Sequence, residues 1–378
     1  MKVLMVSSAH KADDIRIYHK EAKELHKEFD LTILAKRPTS KIHNDNIKVT
    51  TYPQYKNRVF RFLLVPLIVL YNFIKISPEV VHFHDPDLIP LLLLISYFTK
   101  VEFIYDIHEE VSEEIKNKTW IPDKIRNIVL KGYLFFERKA YKRFNTISAT
   151  NNIKEIIVNN HEEKVNTNGE HIIVKNYPKT DEIIKKEKSS IEMLEKSNKL
   201  VFVGNITKSR CILTLLDAIE GLDEIELELA GKFNNRNFEK KVKNHSAWSK
   251  VNYHGWLQRD QVYDLIKISY CGIALSKPRE TSYHSLPIKL FEYMGAGRPF
   301  ITSDFKLRNK IVDEYNCGIA VNPQKTKKVE EAIKFLYNNP DISYKLGNNG
   351  RKAIIENYNW ETQSEKLFSL YNSIKNDG

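Results

Sequence analysis

The stretch Ser285 to Asp304, SLPIKLFEYMGAGRPFITSD, decides how the chain is read. Pro287 suits a helix start, Lys289 to Met294 continue it, and Gly295 and Gly297 suit its C-cap before Arg298-Pro299 leads into a strand. The order loop, helix, glycine turn, strand places unsatisfied backbone N–H groups at the helix start, beside Ser285, Leu286 and Lys289. Together with the helix dipole these groups make a site for a diphosphate. Glu292 lies about a turn and a half further on, where a carboxylate can accept hydrogen bonds from two vicinal ribose hydroxyls.

Working outward, short β-branched runs alternate with longer amphipathic ones, the pattern of a parallel sheet with helical crossovers. In the first half, strands are predicted at Lys2 to Ser7, Asp30 to Ala35, Ile47 to Tyr52, Val80 to His84, Val101 to Asp106, Asn145 to Ala149 and His171 to Lys175. Helices such as Tyr18 to Lys27 and Ile125 to Arg143 fall between them. After Asn176-Tyr177-Pro178 a lysine- and glutamate-rich stretch to Lys199 reads as a linker with a surface helix. A second alternation follows: LVFVGNI from Leu200, IELELAG near 225 to 231, VNYHG at 251 to 255, CGIALS at 271 to 276, FITSD at 300 to 304 and GIAVNP at 318 to 323. Several of these strands end in Gly, Ser or Asp, where a parallel α/β sheet places its ligand-binding loops. The expected division is 1–176, 177–360 and a final amphipathic helix within 361–378 that crosses back to the first domain.

A chain of 378 residues exceeds one comfortable hydrophobic core and fits two domains, and 42% hydrophobic with 28% charged residues is a globular composition. Cys211, Cys271 and Cys317 match no metal-ligand spacing and support no disulfide framework. The N-terminal MKVLMVSS lacks the apolar core and cleavage site of a signal peptide, so a cytoplasmic location is expected. The net charge of +11 asks for an acidic partner. No zinc-finger, RNP-like or helix-turn-helix signature points to nucleic acid. An anionic membrane surface, with the protein peripheral on the inner face, and phosphate-bearing substrates remain as candidates. The run Arg58 to Lys75, RVFRFLLVPLIVLYNFIK, is interrupted by Pro66 and its charge-free part falls short of the about 18 residues that span a bilayer. It reads as a helix packed on a sheet, with lipid contact as the second reading, and Leu88 to Phe98 reads as core. No G-x-G-x-x-G follows the first strand, which disfavours a nicotinamide dehydrogenase.

The block PIKLFEYMGAGRPFITSDF is similar to the donor-site segment of GT-B glycosyltransferases of the large retaining family 4, which includes many capsule and O-antigen enzymes. HFHDPDL at 82 to 88, YDIHEE at 105 to 110, KNYP at 175 to 178, LVFVGNI at 200 to 206, CGIAVNP at 317 to 323 and NYNWE at 357 to 361 resemble that family in the same order. The resemblance covers essentially the whole chain. It implies two Rossmann-like, doubly wound α/β domains facing a central cleft. It further implies transfer of a hexose or N-acetylhexosamine from a nucleotide-diphosphate sugar, of which UDP is the expected nucleotide. The acceptor would be a surface polysaccharide or a lipid-linked glycan. The nucleotide-sugar is a substrate, and no cofactor or metal is expected.

Carried over residue by residue, Glu292 matches the second glutamate of the family's Glu-x7-Glu motif and is implied to hold the ribose. The position of the first glutamate is His284, a departure that bears on the sugar and on retention. His108 matches the cleft histidine implied to contact the transferred sugar and departing phosphate, a charge an imidazole N–H can offset without a metal. Gly204, Lys208 and Arg210 lie on the loop that grips the diphosphate; the family usually has Gly after the arginine, and Cys211 stands here. In the loop after the first strand, His10, Asp13, Asp14 and Arg16 replace the usual glycines and are read as acceptor-side. Asp85-Pro86-Asp87 mimics an Asp-x-Asp metal motif, but the chain order argues for a structural or acceptor-side role for Asp85. Two other functions compete: a nucleotide-sugar 2-epimerase of the same fold, and an inactive sugar-nucleotide-binding partner of another transferase.

Overall fold

The computed structural model describes residues 1–39, 46–55, 57–108, 111–117, 121–150, 169–180, 190–283 and 285–377. The chain forms two compact units, one of Met1–Asn176 with Glu361–Gly378, the other of Tyr177–Trp360.

Unit 1 holds a seven-stranded sheet in the order β3-β2-β1-β4-β5-β6-β7. Its strands are β1 (Lys2–Lys11), β2 (Asp30–Lys36), β3 (Lys48–Tyr52), β4 (Val80–Phe83), β5 (Glu102–Ile107), β6 (Asn145–Ser148) and β7 (His171–Ile173). Every pairing is parallel. Strand order reverses between β1 and β4, so their carboxyl ends flank the switch point where such sheets bind ligands. The right-handed crossover rule places the helices Arg58–Ile76, Ile89–Phe98 and Asp123–Arg143 on one face. Leu4, Val6, Val81, Phe83, Phe103 and Tyr105 point to that face and build its core with Val65, Val69, Leu92 and Ala140. The alternate residues of β4 and β5, His82 and Asp106, point to the opposite face. There the helix Trp360–Asp377 supplies Tyr371, whose hydroxyl lies 2.9 Å from His82 Nδ1.

Three local expectations are corrected. Pro66 does not interrupt its helix, which runs unbroken over Arg58–Ile76 because Val65 and Val69 anchor it to the sheet. Leu88 to Phe98 is core on one side alone: Leu92 and Leu93 are buried, whereas Leu94, Tyr97 and Phe98 are exposed. The helix expected over Tyr18 to Lys27 begins earlier, at Ile15, and its first eight residues form a π-helix, Ile15–Ala22, before a short α-helical turn, Lys23–Leu25. The wider coil turns Arg16, Ile17, Lys20 and Glu21 all into the interior, and such coils recur at functional sites.

Unit 2 repeats the plan with six parallel strands in the order β10-β9-β8-β11-β12-β13. They are β8 (Lys199–Val203), β9 (Glu226–Ala230), β10 (Val251–Gly255), β11 (Cys271–Ala274), β12 (Phe300–Ser303) and β13 (Gly318–Val321). Both faces are covered, so the inner strands read as continuous apolar runs. In β8, Leu200 and Phe202 enter one core, Val201 and Val203 the other. The switch point lies between β8 and β11. Over it sits the helix Ile288–Gly295, fixed by Tyr293, whose buried hydroxyl donates to the Ile273 carbonyl at 3.1 Å. Gly297, at φ 68°, ends the helix, its N–H donating to the Met294 carbonyl at 2.9 Å.

Candidate functional site

In unit 2 the expected donor residues collect at the carboxyl ends of β8 and β11. Gly204 follows β8 at φ +114°, and a Cβ there would stand 3.5 Å from the Lys289 ammonium. Lys289 leaves the first turn of the Ile288–Gly295 helix and is buried, its Nζ 3.5 Å from the centre of the Phe202 ring. Its Nζ has no hydrogen-bond partner among the described residues. Arg210 donates from Nη1 to Ser276 Oγ at 3.3 Å, and Arg308 donates to the same hydroxyl at 3.3 Å and to the Ala274 carbonyl at 3.0 Å. Three cationic side chains are thus packed together. Burial and then the neighbouring Arg210 hold the Lys289 ammonium well below the ordinary lysine range. Burial, reinforced by Arg210, pushes Arg308 down to about 10. Such a cluster is poised for a polyanion, because each cation loses water without gaining a full counter-charge.

Glu292 lies on the same helix and acts electrostatically on Lys289 in the opposite sense to the arginines. Ser285 and Leu286 approach the helix start half-buried, and Pro287 caps it without a side-chain hydrogen bond of its own. Lys208 is exposed on the loop ahead of Arg210. Cys211 takes the left-handed φ of 53° that a glycine would favour, so the turn after the arginine keeps a glycine-type geometry without a glycine. His284 lies outside the described residues.

In unit 1 the carboxyl half of β1 is pinned by the segment that follows β4. Asp85 accepts from Ser7 Oγ at 2.6 Å and from the Ser8 N–H at 2.8 Å, while Asp87 accepts from Ser8 Oγ at 2.5 Å. Both carboxylates of the Asp-Pro-Asp run are therefore engaged in holding the carboxyl half of β1. His10, near the end of β1, has Nδ1 3.4 Å from Asp14 and Nε2 3.9 Å from Asp85. Its ring centre is 5.4 Å from that of His108, at the end of β5. His10, Asp14, Asp85 and His108 thus come together. Asp14 also caps the following helix, accepting from the Arg16 and Ile17 N–H groups.

Two of the residues read as acceptor-side are placed elsewhere. Asp13 points outward and accepts from the Thr39 N–H at 2.8 Å. Arg16 is 4% exposed and spends its guanidinium on the interior. It pairs with both Asp106 oxygens at 3.0 and 3.1 Å, with Glu21 at 2.7 Å and with the Val174 carbonyl at 2.9 Å.

Around Arg16 lies a buried cluster absent from the expected site. Asp106 Oδ2 is 3.1 Å from His108 Nε2 and 3.5 Å from His84 Nδ1, and His84 Nδ1 is itself 3.1 Å from His108 Nε2. Burial works to raise the Asp106 carboxyl, but Arg16 and then His108 hold it well below the carboxylate range. Burial beside that anion pushes Glu21 well above its ordinary value, so Glu21 is the protonated partner. Burial also lowers His82 and His84, which stay neutral. His108 Nε2 therefore lies within hydrogen-bond reach of both the Asp106 carboxylate and His84 Nδ1, while Arg16 already donates to both Asp106 oxygens. Glu21, His82, His84 and Asp106 bring ligand-type atoms within 4.8 Å of one another, enough in number for a metal ion. Arg16 already places a cation against both carboxylates, and the Glu21 proton completes the charge balance. The pair has the opposed pKa values of an acid and a base, as an epimerase would need, yet both carboxylates are fully enclosed. The signal in the sequence was the period-two intrusion of polar residues into apolar strands, His82 and His84 in one and Asp106 in the next.

Residues 183–353 match the family model described as glycosyl transferases group 1. Unit 2 carries a group 1 glycosyltransferase domain. Alpha-D-kanosaminyltransferase of Streptomyces kanamyceticus is 21% identical over 46% of this chain and 45% of its own length. An uncharacterized glycosyltransferase of Methanocaldococcus jannaschii is 23% identical over 89% of this chain and 86% of its own. The chain therefore spans less than half of the first relative and most of the second. Among solved structures, sucrose-phosphate synthase from Thermosynechococcus elongatus matches with a TM-score of 0.77 at 14% identity, covering 100% of both chains. Anabaena HepE in complex with UDP-glucose matches with a TM-score of 0.73 at 10% identity, covering 99% of this chain and 100% of that one. Both likenesses establish the fold, two parallel sheets with flanking helices in the GT-B arrangement. The glycosyltransferase domain contains Gly204, Lys208, Arg210, Lys289 and Glu292, all within the matched segment.

Proposed function

We propose that the chain moves a hexose or N-acetylhexosamine from a UDP-sugar to a surface-polysaccharide or lipid-linked acceptor presented at the inner face of a cell membrane, with retention and without a metal. The observation that carries the reading is the buried ammonium of Lys289, packed beside Arg210 and Arg308 at the switch point of a group 1 glycosyltransferase domain. A diphosphate entering this cluster supplies the missing counter-charge. The same cations then stabilise the charge that builds on the leaving nucleotide as the glycosidic bond breaks, which is where electrostatic preorganisation lowers a barrier. The structural neighbour that binds UDP-glucose supports UDP as the carrier.

Glu292 takes the ribose in this reading. His108 takes the transferred sugar: Asp106 fixes the ring through Nε2, and Arg16 keeps Asp106 ionised. Capsule and O-antigen synthesis are the settings that the sequence resemblance supplies.

The test is nucleotide binding and turnover. Glu292→Gln keeps size but turns one acceptor oxygen into a donor, so UDP affinity should fall by about 1.5–3 kcal/mol, or roughly 10- to 150-fold. UDP-sugar hydrolysis by the wild type should persist in a chelator. Unchanged affinity in the variant with a lowered melting temperature would make Glu292 structural. Turnover lost in the chelator and restored by manganese would end the metal-independent reading.

A further inference from the structure

Hydrophobic side chains on the sheet-covering helices of a globular unit belong on one stripe facing the core. Three helices of unit 1 carry a second stripe facing outward. In Arg58–Ile76, Val65 and Val69 face the sheet, while Leu63, Leu67, Tyr71 and Ile74 recur at three- and four-residue spacing on the other side, Leu67 61% and Ile74 67% exposed. In Ile89–Phe98, Leu94, Tyr97 and Phe98 do the same, Phe98 80% exposed. In Asp123–Arg143 the outward stripe is Ile125, Ile128, Phe135 and Phe136, Ile128 69% exposed. All three crossovers lie on one face of the sheet, so the stripes share one outer surface. Apolar area on this scale is a binding surface rather than scatter.

Charge selects the occupant. The segments Arg58–Ile76 and Ile89–Phe98 contain no Asp or Glu, and in Asp123–Arg143 one of the two, Glu137, is buried. Lys75, Lys100, Lys124, Lys131 and Lys142 are exposed around the stripes. Lys139 lies 4.7 Å over the Phe135 ring, and Arg143 lies 4.5 Å over Tyr97 while donating to Ser96 Oγ at 2.7 Å, which ties two of the helices together. Apolar stems with cationic ends among aromatic rings are what an interfacial surface presents to lipid.

We propose that this face docks on an anionic lipid leaflet, the stripes entering the headgroup boundary and the lysines and Arg143 meeting lipid phosphates. Among the described residues no helix is long and apolar enough to cross a membrane, so the surface lies on the leaflet. The proposal deepens the reading of a membrane-presented acceptor. Vesicle binding measured without donor separates the two, since lost sugar transfer with intact vesicle binding rejects the acceptor alone.

The experiment is co-sedimentation of the full chain with phosphatidylcholine vesicles, with and without phosphatidylglycerol, at low and high salt. Binding should be at least about tenfold stronger to the anionic vesicles and should weaken with salt. Leu67→Glu combined with Ile128→Glu should lower binding about tenfold or more while the melting temperature holds, because both side chains point outward. Phe98→Ser is the second variant should the first not fold. Lys139→Glu should cost about fivefold or more on anionic vesicles alone. Equal binding to both vesicle types, apolar variants that bind as wild type, or a solution dimer that Leu67→Glu dissociates would each overturn the proposal, the last by making the face a self-interface.

Discussion

At the scale of single residues, the interior of unit 1 rests on a proton. Arg16 faces two carboxylates, and one charge suffices for one of them, so Glu21 keeps its proton while Asp106 gives its own up. The two groups respond to pH in opposite senses. Asp106, depressed in the fold, contributes stability that is present above its unfolded value and lost as pH falls through its folded one. Glu21, raised in the fold, contributes stability that is full below its unfolded value and declines as pH rises towards its folded one. Glu21→Gln removes the second effect and leaves the first. The melting temperature of this variant, relative to wild type, should therefore climb as pH goes from about 4 to 8. A pH-independent difference would mean that Glu21 ionises in the fold as it does in the open chain.

At the scale of elements, the helix Ile288–Gly295 is positioned by what lies beneath it. A methyl placed on Gly272 in β11 would stand 2.3 Å from Cγ of the Tyr293 ring, so this strand residue sets how closely the helix approaches the sheet. Gly272→Ala should destabilise the protein by about 1–3 kcal/mol through overpacking and weaken UDP binding as Lys289 is displaced. Stability lost in denaturant titration with UDP affinity intact would show that the helix register does not govern the site.

The strands and this helix were legible in the sequence because β-branched runs, strand-end glycines and the Pro287 and Gly297 punctuation are local signals. The course of the helix through Pro66 was not, since tertiary contacts of Val65 and Val69 outweigh one lost hydrogen bond. Nor was the π-helix at Ile15–Ala22, which forms because Arg16 and Glu21 have partners 90 residues away and across the cluster. Lys289 was legible as a residue at a helix start, but its burial was not, because Phe202 and Gly204 come to it from another strand.

At the scale of the whole molecule, stability and function pull against each other in unit 2. Among the described residues the buried Lys289 ammonium has no hydrogen-bond partner, which destabilises the fold, and in the proposed function a bound diphosphate supplies one. Lys289 is depressed, so the unliganded protein binds fewer protons there than the open chain does, and its stability should rise with pH between the depressed folded value and the ordinary lysine range. Diphosphate binding restores the proton, so nucleotide affinity should fall over the same window. Lys289→Met keeps the apolar stem and removes the charge, and isothermal titration with UDP beside thermal unfolding of the unliganded protein is the most direct measurement. The account predicts a higher melting temperature, a loss of about 1.5–3 kcal/mol in UDP affinity and no pH dependence of binding from this site. A variant that melts lower than wild type and binds UDP as well as wild type would contradict it, and Lys289 would then be a packing residue.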